Sequence, residues 1–129
     1  MLINRVGATR IVIVLKSAVI KIPNFLHSWQ TFIRGLLSNI DESQTWRFNS
    51  GKYESGKSQY LCPILFTSWG GWIIIMKRVD KVLTHEDFWG LDESILAPHL
   101  EHFNGDDCGP NYGWLSGRLV KIDYAQLKI

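Results

Sequence analysis

Apolar and polar positions alternate through the first part of the chain and then change period. Arg10–Leu15 alternates and is rich in β-branched residues, the two-residue link Lys16-Ser17 follows, and Ala18–Ile22 resumes the pattern before Pro23. Runs of this kind with short links predict an antiparallel meander, with Ile3–Val6 as a first short strand ahead of the turn Gly7-Ala8-Thr9. From His27 the spacing becomes helical: Trp29, Phe32, Ile33, Leu36, Leu37 and Ile40 share one face, and Ser28 is the N-cap candidate. Asp41 and Glu42 then fall at the expected C-terminal end of this helix, where carboxylates oppose the helix dipole unless a cation meets them.

The polar stretch Ser43–Ser58 reads as a loop with one short strand at Trp46–Phe48. Gln59–Phe66 and Trp72–Lys77 read as two strands joined by the glycine-rich turn Thr67–Gly71, and Ile73–Ile75 as strand buried on both faces. Short helices are expected at His85–Trp89 and Ser94–Phe103, a loop at 104–110, and a last strand at Arg118–Asp123, fed by a turn at Gly117. The class is α+β with strands leading.

A length of 129 residues suits one domain, and 46% hydrophobic with 20% charged residues describes a globular chain rather than a disordered one. The apolar stretch Ile11–Ile22 is broken by Lys16 and Lys21, too short and too charged to span a bilayer, and no small-residue cleavage site follows it. Cytoplasmic residence is expected, with Cys62 and Cys108 as free thiols. The net charge of +2 conceals an asymmetry: bases dominate up to Arg78 and acids from Asp80 to Asp107. Such halves attract each other across a cleft or offer separate faces to partners.

The chemistry starts from Lys21, held between Ile20 and Ile22. An ammonium in a buried strand is costly unless paired. Glu42 follows at a distance suited to folding back over the sheet, so Lys21 and Glu42 are expected to meet. Asp123, at the end of the last strand, and Asn111 offer oxygens to a divalent cation, and Asp106 is placed to accept a proton from an attacking hydroxyl.

Lys21, Glu42, Asp106, Asn111 and Asp123 occur in the chain order of the charged residues of a protein-kinase ATP site. Val19-Ile-Lys-Ile22 resembles the strand-lysine motif, Glu42 the helix glutamate that pairs with it, and Met76-Lys-Arg78 the hinge that meets an adenine ring. Asp106 to Asn111 has the spacing of the catalytic loop, and Asp123-Tyr-Ala125 is similar to the metal-binding Asp-Phe-Gly motif. The chain also resembles short kinase-like proteins encoded by bacterial viruses and prophages. That likeness runs through Gly7-Ala-Thr-Arg10, Ile20-Lys-Ile-Pro23, Gly35-Leu-Leu-x-Asn39-x-x-Glu42, Cys62-Pro63, Gly70-Gly71, Met76-x-Arg78, Tyr112-Gly-Trp-Leu-x-Gly-Arg118 and Asp123-Tyr124.

The resemblance implies a truncated protein-kinase-like domain: a sheet-and-helix part over 1–78 and a reduced second part over 79–129. It implies catalytic positions at Lys21, Glu42, Asp106, Asn111 and Asp123, nucleotide contacts at Gly7, Lys21, Met76 and Arg78, and Mg²⁺ at Asn111 and Asp123. The departures are specific. Gly7 stands without the repeated glycines of a phosphate loop, no His-Arg pair precedes Asp106, and Ala125 replaces a glycine. Four residues follow Ala125, so an activation segment to hold a protein substrate is not expected. ATP and Mg²⁺ are therefore expected to bind weakly and not to be required.

The resulting expectation is a virus- or prophage-encoded binding or regulatory module with impaired catalysis, acting on a host protein. The alternative is a minimal ATP-dependent phosphotransferase or nucleotide-binding protein, and a third class is an inhibitor that works through its surface. Candidate partner-binding residues are Trp69, at an aromatic turn, and Asp92 and Glu93, in the acidic run. Six tryptophans in so small a chain also fit a homodimer interface. His99-x-x-His102 with Asp106, Asp107 and Cys108 carries zinc-type ligands without a Cys-x-x-Cys pair, so exposed histidines are the commoner outcome. Trp46, Phe48 and Tyr53 on a basic sheet would suit base stacking, but the near-neutral charge argues against nucleic acid.

Overall fold

The computed structural model describes residues 2–6, 9–26, 28–50, 58–102 and 111–124. Strands β1 (Leu2–Val6), β2 (Arg10–Val14) and β3 (Ala18–Pro23) form the expected meander. Helix α1 (Trp29–Ser50) follows, then β4 (Ile64–Thr67) and β5 (Ile74–Lys77). These five strands make one antiparallel sheet in the order β1-β2-β3-β5-β4. A second antiparallel sheet is built from β6 (Lys81–Val82), β7 (Tyr112–Leu115) and β8 (Arg118–Lys121), with α2 (His85–Trp89) and α3 (Glu93–His102) between β6 and β7. The architecture is α+β with one main helix, and no helix among the described residues is long and apolar enough to cross a membrane.

Register determines what each strand offers. Val12 lies opposite Lys21, which lies opposite Ile74; Val14 lies opposite Val19, which lies opposite Met76. Side chains alternate along a strand, so these two rows share one face, and Arg10, two positions before Val12, joins them. The β2–β3 hairpin closes with Leu15 N–H donating to the Ala18 carbonyl at 2.8 Å.

Helix α1 differs from expectation in length and in face. It begins where Ser28 Oγ accepts from Thr31 N–H at 3.1 Å, the expected cap. It does not stop at Asp41 and Glu42 but runs on to Ser50, so Glu42 is mid-helix and Trp46–Phe48 is helix rather than strand. Trp46 packs on the main core, and that packing carries the helix past the carboxylates. The buried stripe is Gly35, Ser38, Asn39 and Glu42, while Trp29 is 73% and Leu37 41% exposed. Spacing of three and four residues makes these four one face, but a small and polar one. Gly35 lets the helix approach closely: a β-carbon there would sit 2.3 Å from the Thr9 carbonyl oxygen and 2.8 Å from Pro23 Cα.

The region expected as one strand, Gln59–Phe66, is a 3₁₀ turn at Ser58–Tyr60, a single bridge from Leu61 to Lys121, and then β4. Pro63 has no N–H to donate to a ladder. Its carbonyl instead accepts from Lys77 N–H at 3.0 Å. The stretch Ile73–Ile75 is not buried throughout: Ile74 is fully enclosed and Ile73 is 37% exposed. Trp72 is half-exposed, its ring 5.4 Å from that of Phe32.

Strands β6 and β7 were not foreseen, and β8 stops at Lys121, before Asp123. The β7–β8 turn is Ser116-Gly117, both at positive φ (53° and 78°), a twist that suits a two-residue hairpin and that glycine adopts without strain. Leu61, Cys62, Ile74, Met76, Val79, Leu115, Val120 and Tyr124 form one core that joins the two sheets. Phe88, Leu96, Leu83, Tyr112 and Leu119 form a second beneath α2 and α3.

Candidate functional site

A cleft of about 200 Å³ lies between the two sheets. Its apolar wall is the shared face just described: Val12, Val14, Val19 and Met76, with Cys62 and Ile122. The connection from β5 into β6, residues 77–82, runs along it, so Met76 and Arg78 both line the cleft. That connection is tied on both sides: Arg78 N–H donates to the Ser17 carbonyl at 3.2 Å, and Asp80 N–H to the Trp114 carbonyl at 2.7 Å.

Lys21 and Asp123 border the same cleft. Lys21 Nζ lies 3.0 Å from Glu42 Oε1 and 3.3 Å from Oε2, the approach expected of a lysine enclosed in an apolar strand. It also donates to the Ile122 carbonyl at 2.6 Å. Glu42 is fully buried and takes a second cation. Arg10 Nη1 lies 2.9 Å from Glu42 Oε1, and Arg10 Nη2 3.0 Å from Oε2, a forked pair. Arg10 Nη2 reaches on to Asp123 Oδ1 at 2.7 Å. Two cations and two carboxylates thus close a quartet whose formal charges sum to zero, with Arg10, Lys21 and Glu42 buried and Asp123 partly exposed.

Asn39, one helical turn before Glu42, supports the quartet. Its Oδ1 accepts from Arg10 Nη1 at 3.3 Å, while Nδ2 donates to the carbonyls of Lys21 at 3.2 Å and Gly71 at 2.8 Å. Asn39 and Glu42 are buried on α1 because each meets partners on the sheet or beyond it.

The environment sets the ionisation. Burial alone would raise Glu42, but the charges of Lys21 and Arg10 and the Arg10 hydrogen bond hold it well below the carboxylate range. Burial lowers Lys21, Glu42 opposes that and Arg10 repels it, leaving it below the ordinary lysine value. Arg10 is held above its ordinary value: burial would lower it, and Glu42 and Asp123 together outweigh burial. Burial pushes the Cys62 thiol up to about 11.

Of the residues singled out from sequence, Lys21, Glu42 and Asp123 meet in one cluster, and Met76 and Arg78 lie on the cleft. Asn111 is adjacent in the fold: its carbonyl accepts from Ile122 N–H at 2.7 Å. Gly7 and Asp106 lie outside the described residues, as do Asp107 and Cys108. Trp69 is 91% exposed in a 3₁₀ turn, and Asp92 and Glu93 are exposed at the start of α3. Sequence reasoning missed Arg10 and Asn39 as members of the site. The hairpin register held the signal for Arg10, because pairing Val12 with Lys21 puts Arg10 on the lysine's face.

The resemblance implies Mg²⁺ at Asp123 and Asn111. The arrangement does not fit a divalent cation at Asp123, because the Arg10 guanidinium already takes one carboxylate oxygen and sets a fixed positive charge beside it. No family model, curated protein or solved structure matches this chain.

Proposed function

We propose that the chain is a kinase-like binding module with a weak nucleotide cleft, acting by contact with a protein rather than by efficient phosphotransfer. The observation that carries this reading is the Lys21–Glu42 pair at 3.0 Å, beneath a five-stranded antiparallel sheet and beside Asp123, on a cleft lined by Val12, Val14, Val19 and Met76. A flat apolar slot next to a positioned lysine suits a planar base. Arg10 on Asp123 argues against efficient catalysis, since phosphoryl transfer relies on metal-borne charge and exact positioning.

Contact is supported by the surface. Trp69 stands 91% exposed, and the exposed acids Asp92 and Glu93 suit a basic partner. The likeness to virus and prophage proteins makes a host protein the expected class of partner. A minimal ATP-dependent phosphotransferase is the second reading: the Lys21–Glu42 pair favours it and the Arg10–Asp123 pair opposes it.

Amide spectra of the labelled protein titrated with adenosine test the cleft. Shifts at Val14, Val19 and Val79, with a Kd on the order of 0.1 mM or weaker (about 5 kcal/mol), are expected. Transfer of the ATP γ-phosphate to protein or peptide is expected to stay at background. Shifts absent from the cleft, or clustered elsewhere, would remove the nucleotide part of the reading, and measurable transfer lost in Lys21→Met would favour the second.

A further inference from the structure

Two buried cations stand at the cleft, Lys21 in its lining and Arg10 behind it on the lining residue Asp123, and both are already engaged. Lys21 donates to Glu42 and to the Ile122 carbonyl, and Arg10 divides its guanidinium between Glu42 and Asp123. Their charges are matched by those of the two carboxylates. A polyphosphate entering here would meet a neutral cluster and would have to displace a buried carboxylate to gain a cation. A divalent ion at Asp123 would meet the Arg10 guanidinium 2.7 Å from the carboxylate oxygen. The cations among the described residues that line the cleft outside the quartet, Lys77, Arg78 and Lys81, are on its exposed rim, where solvent screens them.

We infer that Arg10 stands in for a divalent cation at Asp123, so that the cleft takes an uncharged planar heterocycle of the nucleoside class, without metal and without use of phosphates. The inference rests on the cleft reading above and adds the charge and metal character of the ligand. The apolar wall of Val12, Val14, Val19 and Met76 supplies the binding surface. A volume of about 200 Å³ matches a single ring system better than a whole nucleotide with its metal.

Calorimetric titration of the full chain with adenosine and with ATP, each in EDTA and in excess Mg²⁺, tests it. Adenosine is expected to bind equally in the two buffers, within threefold, and ATP no more tightly than adenosine. ATP binding tenfold or more tighter than adenosine and dependent on Mg²⁺ would overturn the inference and leave the cleft reading standing. Binding of neither ligand would overturn both. Arg10→Met removes the guanidinium and leaves Lys21 on Glu42. If folded by circular dichroism, it is expected to gain at least a tenfold Mg²⁺-dependent strengthening of ATP binding. A folded Arg10→Met chain indifferent to Mg²⁺ would overturn the assignment of Arg10, and if that variant does not fold the wild-type titrations decide.

Discussion

Tyr124 donates its backbone N–H to Glu42 Oε2 at 3.1 Å, across 82 positions of sequence. Its hydroxyl donates to the Cys62 carbonyl at 3.1 Å. Tyr124 is therefore locked to the middle of α1 and to the strand-like stretch before β4. Glu42 is the hub of that lock, since Lys21, Arg10 and Tyr124 all donate to it.

Removing the hub charge is expected to cost more than removing either spoke. Glu42→Gln leaves Lys21 and Arg10 buried with only Asp123 between them, and a loss of about 3–5 kcal/mol is expected. Lys21→Met leaves Glu42 paired with Arg10 and is expected to lose less. Urea unfolding of both variants checks the order, and a Lys21→Met loss equal to or above that of Glu42→Gln would contradict the hub role.

Acid should act through the same residue. The folded-state pKa of Glu42 lies below its ordinary value of 4.5. Its stabilising contribution is therefore present above that value and is lost as pH falls through it towards the folded pKa. Urea midpoints measured from pH 6 down to pH 3 are expected to fall more steeply for the wild type than for Glu42→Gln. Parallel curves would show that other carboxylates carry the acid response.

On the alkaline side Cys62 is the marker. Its ordinary value of 9.0 is raised to about 11 by burial, and Sγ donates to the Lys77 carbonyl at 3.0 Å. A raised folded pKa gives a contribution present below 9.0 that is lost as pH rises through about 11. Lys21, lowered by burial, works in the opposite sense over that range. Comparison with Cys62→Ala isolates the thiol, and the wild type is expected to lose stability relative to that variant between these pH values. In a Cys108→Ser background, alkylation at pH 8 should be slow while the chain is folded and fast in urea. Rapid alkylation of the folded chain would mean that Cys62 is open to solvent.

Gly35→Ala tests the close approach of helix to sheet. Alanine favours a helix interior by about 1 kcal/mol over glycine. Here the added carbon would lie 2.3 Å from the Thr9 carbonyl oxygen and 2.8 Å from Pro23 Cα, both backbone atoms. Overpacking of about 1–3 kcal/mol or more should therefore win, and a lower melting temperature is expected. A rise in melting temperature would mean that α1 sits farther from β3.

The contact reading makes a separate prediction. A partner captured from bacterial lysate is expected to be lost with Trp69→Ala, or with Asp92→Lys and Glu93→Lys together. It should be retained with Asp123→Asn, each variant being checked for folding by circular dichroism. The reverse pattern would move the activity from the surface to the cleft.

The meander β1–β3, the start of α1 at Ser28 and the turn at Gly117 were legible from the chain alone, because each rests on local causes: β-branched alternation, a capping hydroxyl, and a glycine at positive φ. The meeting of Lys21 with Glu42 was legible too, because a lysine enclosed by apolar neighbours needs a carboxylate and the next helix supplies one. The length of α1 was not. Asp41 and Glu42 look like a stop signal until two cations from β2 and β3 neutralise Glu42 and the distant core takes Trp46. Its buried face is illegible for the same reason, since Asn39 and Glu42 read as solvent-facing until their partners are in place. Arg10 belonged to the site only once the register of β2 on β3 was set and the chain brought Asp123 back across 113 positions. Local propensity acts within a few residues, whereas burial of charge is decided by partners that only the folded chain brings within 3 Å.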